Sequence, residues 1–425
     1  MQEQTNTILL ICIALLAVDL YLIKGIRLGL NKWKFTHKKA FTVIYRSVSF
    51  LLILGVLMSI FSHQGLGFRA AFMLGFFLLV IAKILFLPFM LIDDARRLVI
   101  WLKQRSKRPE QPVKQPDPDA IPRSEFLMKA GLLAGSIPLA TLTYGTISGV
   151  YDYRVKYRTL YLPNLPKAFD GIKLGQISDI HSGSFYNKKA VTAGVEMLMR
   201  EKPDFIFFTG DLVNTRSEEM YGYQDIFSKV KAPLGVYSSL GNHDYGDYTE
   251  WPSPEARAKN FQDLITTHKN MGWDLLMNTN RRLKVNGEEI GILGVENWGL
   301  ITRFPRRGRL DLATKNTDDL PVKLLLSHDP SHWRAQVLPH YPQIDVMFAG
   351  HTHGMQFGVQ TKDFQWSPIQ YIYKEWAGFY HEGPQQLYVN VGYGFLGYPG
   401  RVGILPEITI FELKASPDPS LHNKA

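Results

Sequence analysis

Three apolar runs, over residues 8–23, 41–61 and 70–92, dominate the first quarter of this 425-residue chain. Each approaches the ~20 residues that a helix needs to cross a bilayer. Within a bilayer only helices and closed barrels satisfy every backbone group. The start of the chain is therefore restricted to a helical membrane module, and the residues after about 150 are left for a globular domain. Each run carries one charge, at Asp19, Arg46 and Lys83. Asp19 and Arg46 lie near segment ends, from which a side chain reaches the headgroups. Lys83 is deeper and is expected to face neighbouring helices. The single cysteine, Cys12, lies in the first run, which excludes a disulfide framework within the chain.

The charge is uneven. Residues 1–150 hold 18 Lys and Arg against 8 Asp and Glu, the remaining residues hold 30 of each, and the whole excess of +10 sits in the membrane half. The basic pI therefore reports topology, and no nucleic-acid partner is expected. Lys24, Arg27, Lys32, Lys34, Lys38 and Lys39 separate the first two runs, and Arg69 alone separates the second and third. Arg96, Arg97, Lys103, Arg105, Lys107 and Arg108 follow the third. Basic loops stay cytoplasmic. That rule puts the N-terminus outside and residues 93–125, with their Pro-rich "RPEQPVKQPDPDAIP", in the cytoplasm as an extended linker.

Residues 126–150, "FLMKAGLLAGSIPLATLTYGTISGV", form a fourth and less apolar segment. The overlapping "RSEFLMKAGLLAG" partly resembles a twin-arginine export signal, with Ser124 where the second arginine belongs. The expected organisation is a three-helix transmembrane module over 1–92, a basic Pro-rich linker over 93–125, a fourth transmembrane or signal-like segment over 126–150 and a globular domain over 151–425. If the fourth segment spans, this is an integral protein of a plasma or inner membrane with its globular domain extracytoplasmic. If it only packs on the surface, the domain is cytoplasmic.

From residue 160 the pattern changes to short β-rich runs, each ending in a polar cluster. "GIKLGQISDIHSG" ends at Asp179 and His181, "PDFIFFTGDLVN" at Asp211 and Asn214, and "LGVYSSLGNHD" at Asn242, His243 and Asp244. "VKLLLSHDP" ends at His328, and "IDVMFAGHTHG" at His351 and His353. Between the first two, "NKKAVTAGVEMLMREKP" places Val191, Val195, Leu198 and Met199 on one helical face. Apolar strands with helices between them argue α/β architecture with both sheet faces covered, where ligand sites gather at strand ends. Ordinary turns explain Asp and Asn there. They explain poorly why five of the chain's 12 histidines sit there. If strand pairing continues through Gly350, alternation puts His351 and His353 on the same side.

Carboxylate, carboxamide and imidazole without thiolate form a mixed N/O set suited to Mn²⁺, Fe or Zn²⁺. Seven ligands sharing one bridging carboxylate fit two ions ~3.5–4 Å apart, an arrangement that clamps a phosphoryl group.

The ordered series "SDIH", "GDLVN", "GNHD", "SHDP" and "GHTH" resembles the membrane-anchored subset of the calcineurin-like metallophosphoesterase family, over about residues 170–412. The resemblance implies an α/β fold, a two-layered β-sandwich flanked by helices, preceded by an α-helical transmembrane module. It implies two divalent ions (Mn, Fe or Zn), one held by Asp179, His181 and His353 and the other by Asn242, His328 and His351, with Asp211 bridging. His243 would protonate the leaving oxygen and Asp244 would orient it. The implied reaction is hydrolysis of a phosphomonoester or phosphodiester by a metal-bridging hydroxide. Asn214 and Arg401, the latter in the closing "GYGFLGYPGRVGILPEITIFEL", are expected at the substrate phosphate.

One departure is Met355, where related members carry Gly before Gln; its bulk would narrow the site mouth. The anchor directs attention to an envelope or lipid-linked substrate. "TRFPRRGR", with Arg303, Arg306, Arg307 and Arg309, is either a solvated loop or a contact for anionic headgroups or a diphosphate. "FQWSPIQYIYKEWAGFY", residues 364–380, either packs on the sandwich or forms a lid or membrane-facing edge. The rival reading, a membrane sensor or binding protein with a non-catalytic phosphoesterase-like domain, predicts that at least one ligand is lost, and the series is complete.

Overall fold

The computed structural model describes residues 2–30, 32–61, 66–105, 123–361 and 364–416. The chain divides into two compact units, Met1–Tyr144 and Gly145–Ala425.

The first unit is built from α1 (Gln2–Gly29), α2 (Phe35–Phe61), α3 (Leu66–Arg105) and most of α4 (Arg123–Ile147). Phe35–Met58, Phe72–Lys103 and Arg123–Tyr151 are each long and apolar enough to cross a membrane. Two expectations change here. Asp19 does not reach outward: it is buried, accepts from Tyr45 Oη at 2.6 Å and from Ser49, and pairs with Lys83 Nζ at 2.8 Å. Lys83 faces its neighbours as expected and also donates to Ser49 Oγ at 2.9 Å. The start of the expected linker at 93 falls inside α3. Asp93 takes Arg96 at 2.9 Å and Arg97 at 2.8 Å, three and four residues on, so charges that read as a loop brace another helical turn. The rest of that stretch, residues 106–122, lies outside the described residues.

The second unit carries fourteen described strands: β1 (Arg154–Leu162), β2 (Lys173–Ile177), β3 (Phe205–Thr209), β4 (Val236–Ser239), β5 (Asp274–Leu275), β6 (Thr279–Val285), β7 (Glu288–Gly294), β8 (Lys323–Leu326), β9 (Val346–Ala349), β10 (Val359–Gln360), β11 (Gln365–Trp366), β12 (Gly378–Glu382), β13 (Gln385–Val389) and β14 (Glu407–Ala415). One six-stranded sheet runs β1-β14-β2-β3-β4-β5, with β2 to β5 mutually parallel. The other runs β12-β13-β9-β8-β7-β6, with β13, β9, β8 and β7 parallel. Strands β10 and β11 form a small separate ladder.

Alternation along the strands builds a layered core. Phe205 and Phe207 point between the sheets, where they meet Leu324, Phe348 and Phe411. Ile206 and Phe208 point outward onto Val195 and Leu198 of α5 (Lys188–Arg200), Phe227 of the one-turn α6 (Gln224–Phe227) and Leu264 of α7 (Pro254–Met271). Leu325, Met347 and Ala349 cover the far face with Trp333 and Val337. Burial on both faces is why these strands read as unbroken apolar runs. Helix α5 starts where Asn187 accepts from Ala190 N at 3.1 Å. It buries Val191, Val195 and Leu198, while Met199 is only partly covered.

Because the central strands are parallel, β2, β3 and β4 end along one edge of the first sheet, and β8 and β9 along one edge of the second. The two edges are stitched together. Gln176 Nε2 donates to Thr209 Oγ1 and to Ala349 O, both at 3.1 Å. Asp179 N donates to Gly210 O at 2.9 Å, Gly350 N to His328 O at 2.9 Å and Tyr393 N to Ser178 O at 2.7 Å.

Candidate metal centre

The loops leaving these strand ends turn sharply. Asp179, His181, Asp211, His351 and His353 all have positive φ, between 49° and 73°. Left-handed backbone at non-glycine residues is uncommon, and it gathers at functional sites. The alternation argument for the two GHTH histidines therefore fails in its mechanism: β9 stops at Ala349 and both rings are aimed by left-handed turns. They also diverge, His353 toward Asp179 and His181, His351 toward Asp211 and His328. The turns need room. At Gly210, with φ of 96°, a Cβ would lie 2.5 Å from Gly241 N and 2.8 Å from His328 Nδ1. At Gly350 it would strike Ser178 Oγ and Asp179 Oδ2.

Two clusters result. In Asp179–His181–His353, and again in Asp211–His328–His351, one donor atom from each residue lies within 4.8 Å of the others. Asp211 Oδ2 links them, 3.5 Å from His181 Nε2 and 3.1 Å from His328 Nε2. Asp211 Oδ1 accepts from His243 N at 2.8 Å. Asn242 Oδ1 stands 2.8 Å from His351 Nδ1, which adds a carboxamide to the second cluster. His353 Nε2 is 3.3 Å from Asp179 Oδ1.

The donors fit a cation because they lack other partners. Both ring nitrogens of His181, Nε2 of His328 and Nε2 of His353 are buried without a hydrogen bond. Such orphans cost about 1–3 kcal/mol each, and these four are gathered around two carboxylates, Asp179 and Asp211. His328 Nδ1 lies 2.7 Å from Thr209 O, which can only accept, so Nδ1 carries a proton and Nε2 is the nitrogen left facing Asp211. Electrostatics agree. Burial pushes the Asp179 carboxyl up to about 7. Burial also opposes protonation of His328, but the Asp211 and Asp179 carboxylates overcome it and raise the ring to about 10. Burial lowers the His181 ring to about 3 and the His351 ring to about 4, so those imidazoles stay neutral, the form that binds a metal ion.

Residues 172–355 match the family model described as calcineurin-like phosphoesterase. Residues 5–150 match one described as "Probable Calcineurin-like phosphoesterase, transmembrane domain". The chain belongs to the calcineurin-like phosphoesterase family. It is 27% identical over 291 residues to a "Transmembrane protein with metallophosphoesterase domain" of Danio rerio, covering 67% of this chain and 62% of that protein. It is 28% identical over 258 residues to "Uncharacterized metallophosphoesterase YkuE" of Bacillus subtilis, covering 59% of this chain and 82% of that one. A Campylobacter jejuni metallophosphoesterase, Cj0846, is 27% identical over 280 residues, with 64% and 67% covered.

Three other sequence-derived site residues sit differently from expectation. Asp244 does not touch the His243 ring. Its carboxylate accepts from the backbone N of Gly241 at 2.8 Å, of Asp211 and Leu212 at 2.9 Å each and of Val213 at 3.4 Å. The short side chain closes the turn that carries Asp211, and no lone pair is left aimed at the imidazole. His243 Nδ1 is held by Asn214 O at 2.7 Å instead. The Asn214 side chain turns to Ser184 Oγ at 3.1 Å, so this residue acts through its carbonyl. Arg401 is 1% exposed. It donates to Val391 O at 2.8 Å, Gly392 O at 3.1 Å and Gly394 O at 2.6 Å, with Nη2 at 3.2 Å from His353 Nδ1. It holds the glycine-rich turn beneath His353 and has no free edge for a phosphate.

Sequence reasoning passed over Asp329, Tyr373 and Tyr248. Tyr373 Oη lies 2.8 Å from His351 Nε2 and donates to Asp329 Oδ2 at 3.3 Å, a chain that fixes the His351 ring from outside. Asn242 Nδ2 donates to Tyr248 Oη at 2.8 Å, and the Tyr248 ring lies 4.4 Å from that of His243. Asp329 was visible in "SHDP" and Tyr373 in the aromatic segment, but nothing in their spacing points to His351.

Five of the seven candidate ligands, His181, Asp211, Asn242, His351 and His353, line a cleft of about 500 Å³. Of the four arginines in "TRFPRRGR", only Arg303 lines it. Arg306 donates to Gly299 O, Arg307 covers the Tyr245 ring at 4.1 Å and Arg309 pairs with Asp311 at 2.7 Å. Met355 stands at the mouth, half exposed.

Proposed function

We propose that this protein is a membrane-anchored hydrolase of phosphomonoesters or phosphodiesters that works with two divalent cations. The observation that carries the reading is the ring of buried, partnerless imidazole nitrogens around the Asp211 carboxylate. Asp179, His181 and His353 would hold one ion, Asn242, His328 and His351 the other, and Asp211 both. Their nitrogen and oxygen donors suit Mn, Fe or Zn. When bound, such a pair neutralises phosphoryl oxygens and makes water nucleophilic at neutral pH.

His243 would be the proton-transfer group. With Nδ1 donating to Asn214 O, the ring takes up and releases its proton at Nε2, and the residue lines the cleft. Tyr248 supports that ring and Asp244 holds the turn beneath it. The same proposal takes residues 151–425 as the catalytic domain and 1–150 as its anchor, in a plasma or inner membrane. By the distribution of basic loops it sets the catalytic domain outside the cytoplasm.

The test uses the full chain in detergent with Mn²⁺, assayed on p-nitrophenyl phosphate and bis-p-nitrophenyl phosphate beside Asp211→Asn and His243→Ala. Metal-dependent turnover, abolished by Asp211→Asn and lowered roughly 10²–10⁴-fold by His243→Ala, is expected. Turnover that survives a chelator or both substitutions, or no turnover with no bound metal, would overturn the reading.

A further inference from the structure

The lining of the cleft is of two kinds. One half is His181, Asp211, Asn242, His243, His351 and His353; the other half is apolar, with Ile301, Phe304, Met355, Ile369, Ile372 and Leu396, and the two meet where the Phe304 ring lies 4.8 Å from that of His351. A phosphate group alone occupies a small part of about 500 Å³, so the remainder must receive the rest of the substrate. What it offers is apolar surface. The polar side chains there are committed inward. Thr352 Oγ1 donates to Trp376 O at 2.6 Å, and Gln356 Nε2 donates to Tyr398 O at 2.6 Å and Gly400 O at 2.9 Å. Gln356 Oε1 accepts from Leu396 N at 2.6 Å, and Tyr373 Oη serves His351 and Asp329. Beside these apolar residues stands one cationic lining residue, Arg303, next to Phe304 with its guanidinium 5.0 Å from the ring. A sugar or a peptide would find few donors and acceptors in this half. A hydrocarbon chain needs none.

The apolar lining also continues outward. Ile372 is 58% exposed, Tyr371 77%, Leu300 55% and Met355 49%. Clustered exposed hydrophobic groups at the mouth of a cleft mark an interaction site. The C-terminal end of a segment apolar enough to span a bilayer packs within this unit. Tyr398, which lines the cleft, has its Oη 3.4 Å from Thr146 Oγ1, and Arg401 N donates to Gly145 O at 3.1 Å. Gly145 and Thr146 belong to Arg123–Tyr151, the last segment long and apolar enough to span a bilayer.

We propose that the substrate is an amphiphile, a phosphoester whose headgroup reaches the metal residues and whose long hydrocarbon chain lies along Ile301, Phe304, Ile369 and Ile372, with Arg303 against the headgroup. This rests on the phosphoesterase reading above and narrows it to lipid phosphoesters. The exposed outer residues meet the bilayer from which such a substrate is drawn.

The experiment measures binding, so that it does not depend on turnover. The full chain in nanodiscs, with Mn²⁺, is titrated calorimetrically with ethyl-, butyl-, hexyl- and octylphosphonate, with empty nanodiscs as the blank. Burial of a methylene is worth up to about fourfold in affinity. Octylphosphonate is expected to bind at least tenfold more tightly than ethylphosphonate. In Ile301→Asn and Ile372→Asn the ratio of the two affinities collapses toward one, whereas Arg303→Gln weakens every length by a similar factor. Because both isoleucines are partly exposed, loss of fold is read directly as loss of all phosphonate binding, and the wild-type series then decides alone. Affinity independent of chain length in the wild type, or a length dependence that both variants keep, would overturn the inference and leave the phosphoesterase reading intact. If no phosphonate binds to the Mn²⁺-treated protein, the phosphoesterase reading itself falls and takes this one with it.

Discussion

Both units bury charged and polar side chains, and they treat them in opposite ways. In the helical unit Asp19 is enclosed by Tyr45, Ser49 and Lys83, and the lysine is bonded to the carboxylate and to the serine. That cluster is closed within itself. In the sheet unit His181, His328 and His353 point buried nitrogens with no hydrogen-bond partner at one another and at Asp211. A closed polar cluster fixes packing. An open one, held in place by left-handed backbone, is stable only if something absent from the polypeptide completes it.

Substitutions can break or sharpen this contrast. The largest effect is expected at the open cluster. Asp211→Asn should reduce metal-dependent phosphoester turnover by more than the ~10–100-fold that outer-shell partners contribute, with the thermal midpoint of the metal-free protein little changed. A variant that kept its turnover would show that the open cluster is only an imperfect core. The closed cluster should respond in the reverse sense. Lys83→Met leaves Asp19 buried and uncompensated and should destabilise the full chain in detergent by about 3–5 kcal/mol. Adding Asp19→Asn should restore most of that loss, and phosphatase activity of the folded fraction should stay constant throughout.

A third buried polar group sharpens the boundary between the two kinds. His268 Nδ1 is bonded to Ser238 Oγ at 3.0 Å and its ring packs on Phe208 and Trp273, while Nε2 has no partner. With no carboxylate beside it, burial pushes the ring down to about 3. Below pH 6.5 the unfolded chain binds a proton here that the folded chain refuses. Stability should therefore fall as pH drops from 6.5 toward 3, by about 3 kcal/mol at pH 4. Thermal melts followed by tryptophan fluorescence between pH 7 and pH 4 should show this slope, flattened in His268→Gln. An equal slope in that variant would place the acid sensitivity elsewhere. The smallest effect is expected outside the cluster. Tyr373→Phe removes the hydroxyl between His351 and Asp329 and should weaken metal affinity by ~10–100-fold while leaving the fold unaltered. An unchanged metal titration would mean that the His351 ring is fixed by packing alone.

How much of this was legible beforehand follows from what kind of signal each residue carries. Strand-end position and residue chemistry drew attention to Asp179, His181, Asp211, Asn242, His328, His351 and His353 together with Asn214, His243 and Asp244, because parallel strands bring their carboxyl ends to one edge; only the family resemblance separated the ligands from the rest. Backbone conformation was not legible. Alternation suggested one common side for His351 and His353, and left-handed turns sent them to different clusters. Partner choice was not legible either. Asp244 follows His243 directly, which suggests cooperation, yet its carboxylate is consumed by four backbone amides. Arg401 looked free on a glycine-rich loop, and that loop wraps its carbonyls around the guanidinium. In the helical unit the pairing of Asp19 with Lys83 joins residues 64 positions apart, which composition cannot reveal.

The central claim is that the open cluster is a site for two cations sharing Asp211, and counting metal tests it most directly. The purified full chain, equilibrated with Mn²⁺ and passed through a desalting column, is analysed by mass spectrometry of its metal content, beside His181→Ala and Asp211→Asn. The account predicts two Mn²⁺ per chain in the wild type, one or fewer in His181→Ala and the largest loss in Asp211→Asn. No bound metal in the wild type, or a content that neither substitution changes, would contradict it.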